Sequence, residues 1–209
     1  MKKMMISLVL LASASAGATP VTSVDDTLVD GIRLGNPTYG GTGCPQGSAA
    51  VALSPDESSI SILFDTYVAE AGGARRIDRK SCNLAIPVHV PAGMSISLIS
   101  MDYRGFTSVP SGGSAVFNAE YFFAGGSGPI QSQTFRGPRN DDFTITHEVP
   151  MEAQIWSPCG QDVILRANTS MRAMTNSRGD QVLATVDSQD VHGSTDGGFF
   201  FFIEERNCN

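Results

Sequence analysis

Apolar and polar residues alternate with a period of two along most of this chain, from about Gly47 onward. In the stretch 59–65, Ile60, Ile62 and Phe64 share one parity, while Ser59, Ser61 and Leu63 take the other. Leu84, Ile86, Val88 and Val90 repeat the pattern, and Ile96 and Leu98 do so between serines. In 143–149, Phe143, Ile145, His147 and Val149 oppose Thr144, Thr146 and Glu148. In 163–171, Val163, Leu165, Ala167 and Met171 oppose Arg166, Asn168 and Ser170. Successive side chains leave a strand on opposite faces, so each run predicts a strand with one buried and one wet side. Strands of this kind build antiparallel sheets that are solvated on one face.

Turn signals separate the runs. Gly72-Gly73, Gly112-Gly113, Gly125-Gly126 and Gly197-Gly198 supply the positive φ that hairpin tips need. Ser54-Pro55-Asp56 and Pro91-Ala92-Gly93 read as turns as well. A helical period is hard to find; Glu152–Trp156 has room for one short turn. The fold class is therefore all-β, an antiparallel β-sandwich. Phe199–Phe202, extended by Ile203, is a continuous apolar run. It predicts a strand buried on both faces rather than an exposed aromatic platform, because exposed runs of this kind aggregate.

The N-terminus carries a different signal. Lys2 and Lys3 precede an apolar run from Met4 to Ala12, and the triplets Ala14-Ser15-Ala16 and Ala16-Gly17-Ala18 follow. This is the layout of an export signal, with cleavage after Ala16 or Ala18. The run is too short to span a bilayer, which needs roughly 20 apolar residues. The expected organisation is a signal peptide over 1–18, a flexible leader or late-docking strand over 19–35, and a single β-sandwich domain over 36–209. The expected location is secreted or extracellular, or periplasmic in a Gram-negative source.

Charge narrows the partners. The chain has 14 basic and 21 acidic residues. Without Lys2 and Lys3 the balance is 12 against 21, or −9. An acidic protein repels phosphate backbones and anionic lipid surfaces, so neither nucleic acid nor membrane insertion is expected. The four cysteines, Cys44, Cys82, Cys159 and Cys208, are an even set in an exported chain and read as two disulfides. Spacing alone leaves all three pairings open. The cysteines are too isolated for a zinc site, where ligands come in close pairs.

No catalytic, metal or cofactor signature stands out. No two of His89, His147 and His192 lie at a ligand spacing. His147 is the odd one, because it falls on an apolar parity: either a satisfied core histidine or a base in a cleft. There is no Gly-x-Ser-x-Gly elbow, and Gly126-Ser127-Gly128 lacks the lysine of a phosphate loop. A glycosidase pair could be drawn from Asp65, Asp102, Glu120, Asp141, Asp142 and Glu148. Asn140-Asp141-Asp142 reads as a turn rather than a calcium loop. Asn168-Thr169-Ser170 is a glycosylation sequon on a polar parity. Trp156, in Trp156-Ser157-Pro158-Cys159-Gly160, is expected to pack beside a disulfide.

These motifs resemble the DUF4360 family, small secreted proteins of unknown function found mostly in fungi and also in bacteria. The resemblance rests on Tyr39-Gly40-Gly41-Thr42-Gly43-Cys44-Pro45-Gln46-Gly47-Ser48, on Asp102-Tyr103-Arg104-Gly105, on Gly137-Pro138 with Asp142-Phe143-Thr144-Ile145-Thr146, and on Trp156–Gly160. It covers roughly residues 35–208. It implies the pairing Cys44–Cys82 and Cys159–Cys208, and it implies no activity.

The functional expectation is a non-catalytic, monomeric secreted module that binds a cell-surface or wall polysaccharide or a protein. Asp102, Tyr103, Arg104 and His147 are its candidate ligand-facing residues, with Phe106 and Tyr121 as candidate aromatics. The alternatives are an extracellular hydrolase acting on a polysaccharide and a structural or interaction protein of the cell envelope.

Overall fold

The computed structural model describes residues 31–55, 59–98, 100–192 and 203–208. The expected signal peptide, the leader up to residue 30, Gly197-Gly198 and the Phe199–Phe202 run lie outside the described residues. The strands in chain order are β1 (Arg33–Leu34), β2 (Thr38–Gly40), β3 (Ala49–Leu53), β4 (Ser59–Phe64) and β5 (Val68–Ala71). Then come β6 (Ile77–His89), β7 (Met94–Leu98), β8 (Ser100–Val109), β9 (Ser114–Phe123) and β10 (Ile130–Arg136). The last are β11 (Arg139–Glu148), β12 (Val163–Met174), β13 (Val182–Thr185), β14 (Ser188–His192) and β15 (Ile203–Asn207).

All described pairings are antiparallel. Sheet A runs β1-β6-β12-β9-β10, with β2 also on β6. Sheet B runs β3-β4-β14-β8-β13-β5, with β11 also on β8. β7 and β15 form a small third sheet. Of the expected leader, Arg33 and Leu34 pair with His89 and Val88 of β6, and the Leu34 side chain is buried.

The core lies between sheets A and B and is built from the parity that the sequence marks as apolar. Ile60 and Ile62 of β4, Leu84 and Ile86 of β6, and Leu165 and Met171 of β12 are fully enclosed. Leu63, on the other parity of β4, is 53% exposed. Contacts cross the sandwich. The Tyr103 and Phe117 ring centroids are 4.7 Å apart, and the Tyr67 hydroxyl is 2.9 Å from Thr169 Oγ1. At one open edge Phe135 and Phe143 close the gap at 4.7 Å. Burial of such side chains contributes on the order of 2 kcal/mol each, which is what holds two sheets together.

Both disulfides form as the family resemblance implies. Cys44–Cys82 ties the segment before β3 to β6, and Cys159–Cys208 ties the chain before β12 to the end of β15. The single helical turn is a 3-10 turn at Met151–Ala153.

Two local expectations change. Ser95 and Ser97 of β7 are buried rather than wet, because the Ser157 segment covers them: Ile96 N–H donates to Ser157 Oγ at 3.0 Å and Ser157 N–H to the Ile96 carbonyl at 2.8 Å. Asn140-Asp141-Asp142 is part of β11 and not a turn, since each residue pairs with β8. Among the described residues there is no cluster of three metal-ligating side chains. Gly105 sits inside β8, where the Phe143 ring and the Thr185 carbonyl fill the space of a side chain.

Candidate functional site

The residues picked from sequence fall on two sides of one strand. β8 is paired on both flanks, with β11 on one side and β13 and β14 on the other. Asp102 and Arg104 point outward from it. Thr146 Oγ1 donates to Asp102 Oδ1 at 2.7 Å, and Arg104 is exposed.

Tyr103 and His147 point inward, which corrects their expected ligand-facing role. Tyr103 is 0% exposed and His147 is 6% exposed, because odd positions of β8 and β11 meet sheet A. Tyr121, also inward, is buried beside them. Its hydroxyl lies 2.7 Å from His147 Nδ1. Met101 Sδ accepts from Tyr103 at 3.1 Å and from Gln189 Nε2 at 2.7 Å. Burial pushes the phenols of Tyr67, Tyr103 and Tyr121 far above their usual range. Burial also lowers His147 from 6.5 to about 4, so its imidazole is neutral at physiological pH. This network is buried and offers no surface to a ligand; within it Gln189 Oε1 has no hydrogen-bond partner among the described residues.

The carboxylates considered for a hydrolytic pair divide between the two sheets. Glu120 is on sheet A, while Asp102, Asp142 and Glu148 face outward from sheet B, where register sets Asp102 opposite Asp190. A polar hollow of about 400 Å³ lies beside Glu70, Arg75, Gly179 and Gln181. Its groups are engaged with their neighbours: Gln181 Nε2 donates to Glu70 Oε1 at 2.6 Å, and Arg75 pairs with Asp78 at 3.6 Å. The Asn176 amide and Arg178 hold the Asp180 carboxyl below the usual carboxylate range.

The outer face of sheet A is built differently. Register places Asn83, Asn168 and Glu120 side by side in one row across β6, β12 and β9. The next row holds Ser81, Ser170 and Asn118, and Ser132 of β10 continues it. Beyond it lie Arg79, Arg172 and Val116. On the other side of the Asn83 row come Ala85, Arg166 and the half-buried Phe122. Neighbouring side chains in a row stand one inter-strand spacing apart, ~4.8 Å.

At one end the face opens into a shallow hollow of about 430 Å³ beside Arg33, Pro87, His89, Asp162 and Ile164. There His89 Nδ1 is 2.8 Å from Asp162 Oδ1, which also accepts the Val90 N–H at 3.1 Å. From His89 to Arg79 the face runs ~34 Å at ~3.4 Å per residue.

Sequence reading did not select Asn83, Asn118 or Arg79 for this surface. The available signal was the run of amides, hydroxyls and guanidinium groups on the wet parity of three long strands. That signal acquires meaning only once register aligns the strands.

The fold and its two covalent ties define the class: a disulfide-bonded antiparallel β-sandwich. Residues 30–200 match the DUF4360 family, described as a domain of unknown function, and the chain belongs to that family. A relative 34% identical over 165 residues, spanning 78% of this chain and 67% of its own length, is an uncharacterized secreted protein of Arthroderma benhamiae. This chain is likewise a secreted protein, and no described helix is long and apolar enough to cross a membrane.

Two solved structures align loosely. TmCBM61 in complex with β-1,4-galactotriose is 12% identical, with 75% of this chain and 88% of that one covered, at a TM-score of 0.30. A family 11 carbohydrate-binding module from Clostridium thermocellum, in complex with a β-1,3-1,4-mixed-linked tetrasaccharide, is 10% identical, with 81% and 92% covered, at 0.21. Neither reaches the likeness of a shared topology.

Proposed function

We propose that this secreted protein is a non-catalytic binding module for a cell-surface or wall polysaccharide, and that it holds the polymer along the outer face of sheet A. The observation that carries the reading is the register of β6, β12 and β9. It sets Asn83, Asn168 and Glu120 in one row and Ser81, Ser170 and Asn118 in the next. Carboxamides and hydroxyls both donate and accept hydrogen bonds, as sugar hydroxyls require. The half-buried Phe122 adds apolar surface for a sugar ring, and the length of the face suits a polymer better than a small molecule.

The test is depletion. Oxidised mature protein is mixed with insoluble chitin, cellulose, β-glucan and peptidoglycan, and the unbound fraction is measured. Loss to one polymer that its soluble oligomer reverses, and that Asn83→Ala with Asn118→Ala abolishes, is the expected result. Release of sugar in the same tubes overturns the non-catalytic reading. Loss that the double substitution leaves intact overturns the choice of face.

A further inference from the structure

The two outer faces of the sandwich carry opposite charge. On β6, β9, β10 and β12 the outward positions hold Arg79, Arg136, Arg166 and Arg172 against one carboxylate, Glu120. On sheet B the outward positions hold Asp102, Asp142, Glu148, Asp190 and Glu70 against Arg104. The chain is acidic as a whole, at −7. Net charge therefore describes sheet B and misdescribes sheet A.

Within sheet A, Arg79 and Arg172 stand directly opposite each other in register, and both are exposed. Like charges facing each other across two strands are unfavourable. Among the described residues neither guanidinium has a carboxylate at ion-pair distance. Arg79 is instead aimed along the face by its bond to Ser170 Oγ at 3.2 Å. Such a pair is relieved by an anion lying across both.

We propose that the ligand of sheet A is an anionic polysaccharide bearing ring carboxylates, a uronate polymer, with its carboxylates held by Arg79 and Arg172. This rests on the polysaccharide reading above and adds its chemical class. The planar guanidinium fork matches a carboxylate through two parallel hydrogen bonds. The neighbouring Ser81, Asn118, Asn83 and Asn168 side chains take the hydroxyls of the same chain, while the buried Ser170 holds Arg79. The acidic sheet B face turns the same polymer away and so fixes which side of the sandwich engages it.

The test is native electrophoresis of the oxidised protein through gels cast with polygalacturonate, a neutral soluble β-glucan, dextran sulfate, or no polymer. Retardation by polygalacturonate that exceeds both other polymers, weakens with added salt, and falls roughly tenfold in affinity in Arg79→Glu with Arg172→Glu is the expected result. Arg104→Glu, on the other face, leaves it unchanged. Because the protein is itself acidic, retardation by a polyanion does not arise from net charge. The salt dependence of the unsubstituted protein is an independent readout should the double variant fold poorly.

Equal, salt-insensitive retardation by the neutral glucan overturns the uronate assignment and leaves the polysaccharide reading standing. Stronger retardation by dextran sulfate overturns the carboxylate and favours a sulfate ester. No retardation by any polymer, together with no depletion by the insoluble ones, overturns both.

Discussion

The Tyr121 hydroxyl is hydrogen-bonded to Nδ1 of His147 across 2.7 Å, linking sheet A to sheet B through the middle of the core. Burial lowers His147 to about 4, so the bond is made by a neutral imidazole.

That shift makes stability depend on pH. The folded-state pKa lies below the unfolded value of 6.5, so the contribution is complete above about pH 6.5. It is lost as pH falls from there to about 4, where the folded form also takes up the proton. The loss is on the order of 3 kcal/mol over that window. Urea unfolding midpoints at pH 7, 5.5 and 4 should fall more steeply for the unsubstituted protein than for His147→Gln. Parallel slopes would show that His147 does not carry the effect.

Tyr121→Phe removes the hydroxyl that bonds His147 Nδ1. His147 is buried, so the cost is about 2 kcal/mol, read as a lower unfolding midpoint at pH 7. An unchanged midpoint would mean that the network contributes nothing net.

Gly105→Ala places a Cβ 2.3 Å from the Thr185 carbonyl oxygen and 2.6 Å from the Phe143 ring. The backbone contact cannot yield by a rotamer change, so a destabilisation of about 3 kcal/mol is expected from overpacking. Thermal unfolding measures it, and a variant as stable as the parent would show that β8 and β13 can separate locally.

The two disulfides differ in access. Cys44 and Cys82 are fully enclosed, whereas Cys159 is exposed and Cys208 partly so. Mild reductant followed by alkylation should label Cys159 and Cys208 first, as mapped by peptide mass spectrometry. The Arg206 guanidinium lies 3.9 Å from the centroid of the Trp156 ring, and Arg206 is in β15, the strand this disulfide anchors. Trp156 fluorescence should therefore change in step with that labelling and not with the later reduction of Cys44–Cys82.

The sequon asparagine, Asn168, stands in the middle of the sheet A face between Asn83 and Glu120. A glycan attached there would cover the surface assigned to the ligand. Protein made in a eukaryotic secretory pathway and glycosylated at Asn168 should bind its polymer at least tenfold more weakly than the deglycosylated form. Equal binding by the two forms would move the ligand site off this face.

Strand parity, the all-β class and the even cysteine set could be read from the chain alone, because alternation is a property of neighbouring residues. Ile60, Ile62 and Leu63 illustrate it: parity assigned each its side, and each is where parity put it. The same logic failed at Ser95 and Ser97, which are covered by a segment some 60 residues away, as Ile96 N–H to Ser157 Oγ shows.

The sites show the same division. Asp102-Tyr103-Arg104-Gly105 is one motif in sequence, yet the pleat sends Asp102 and Arg104 to solvent and Tyr103 to the core. The meeting of Arg79 with Arg172, and of Asn83 with Asn168 and Glu120, depends on which strands lie side by side and in what register. Those pairings join residues tens of positions apart and are fixed by the packing of the whole core, so no local pattern encodes them. Net charge misleads for the same reason: it sums over the chain, while the pleat and the strand order collect arginines on one sheet and carboxylates on the other.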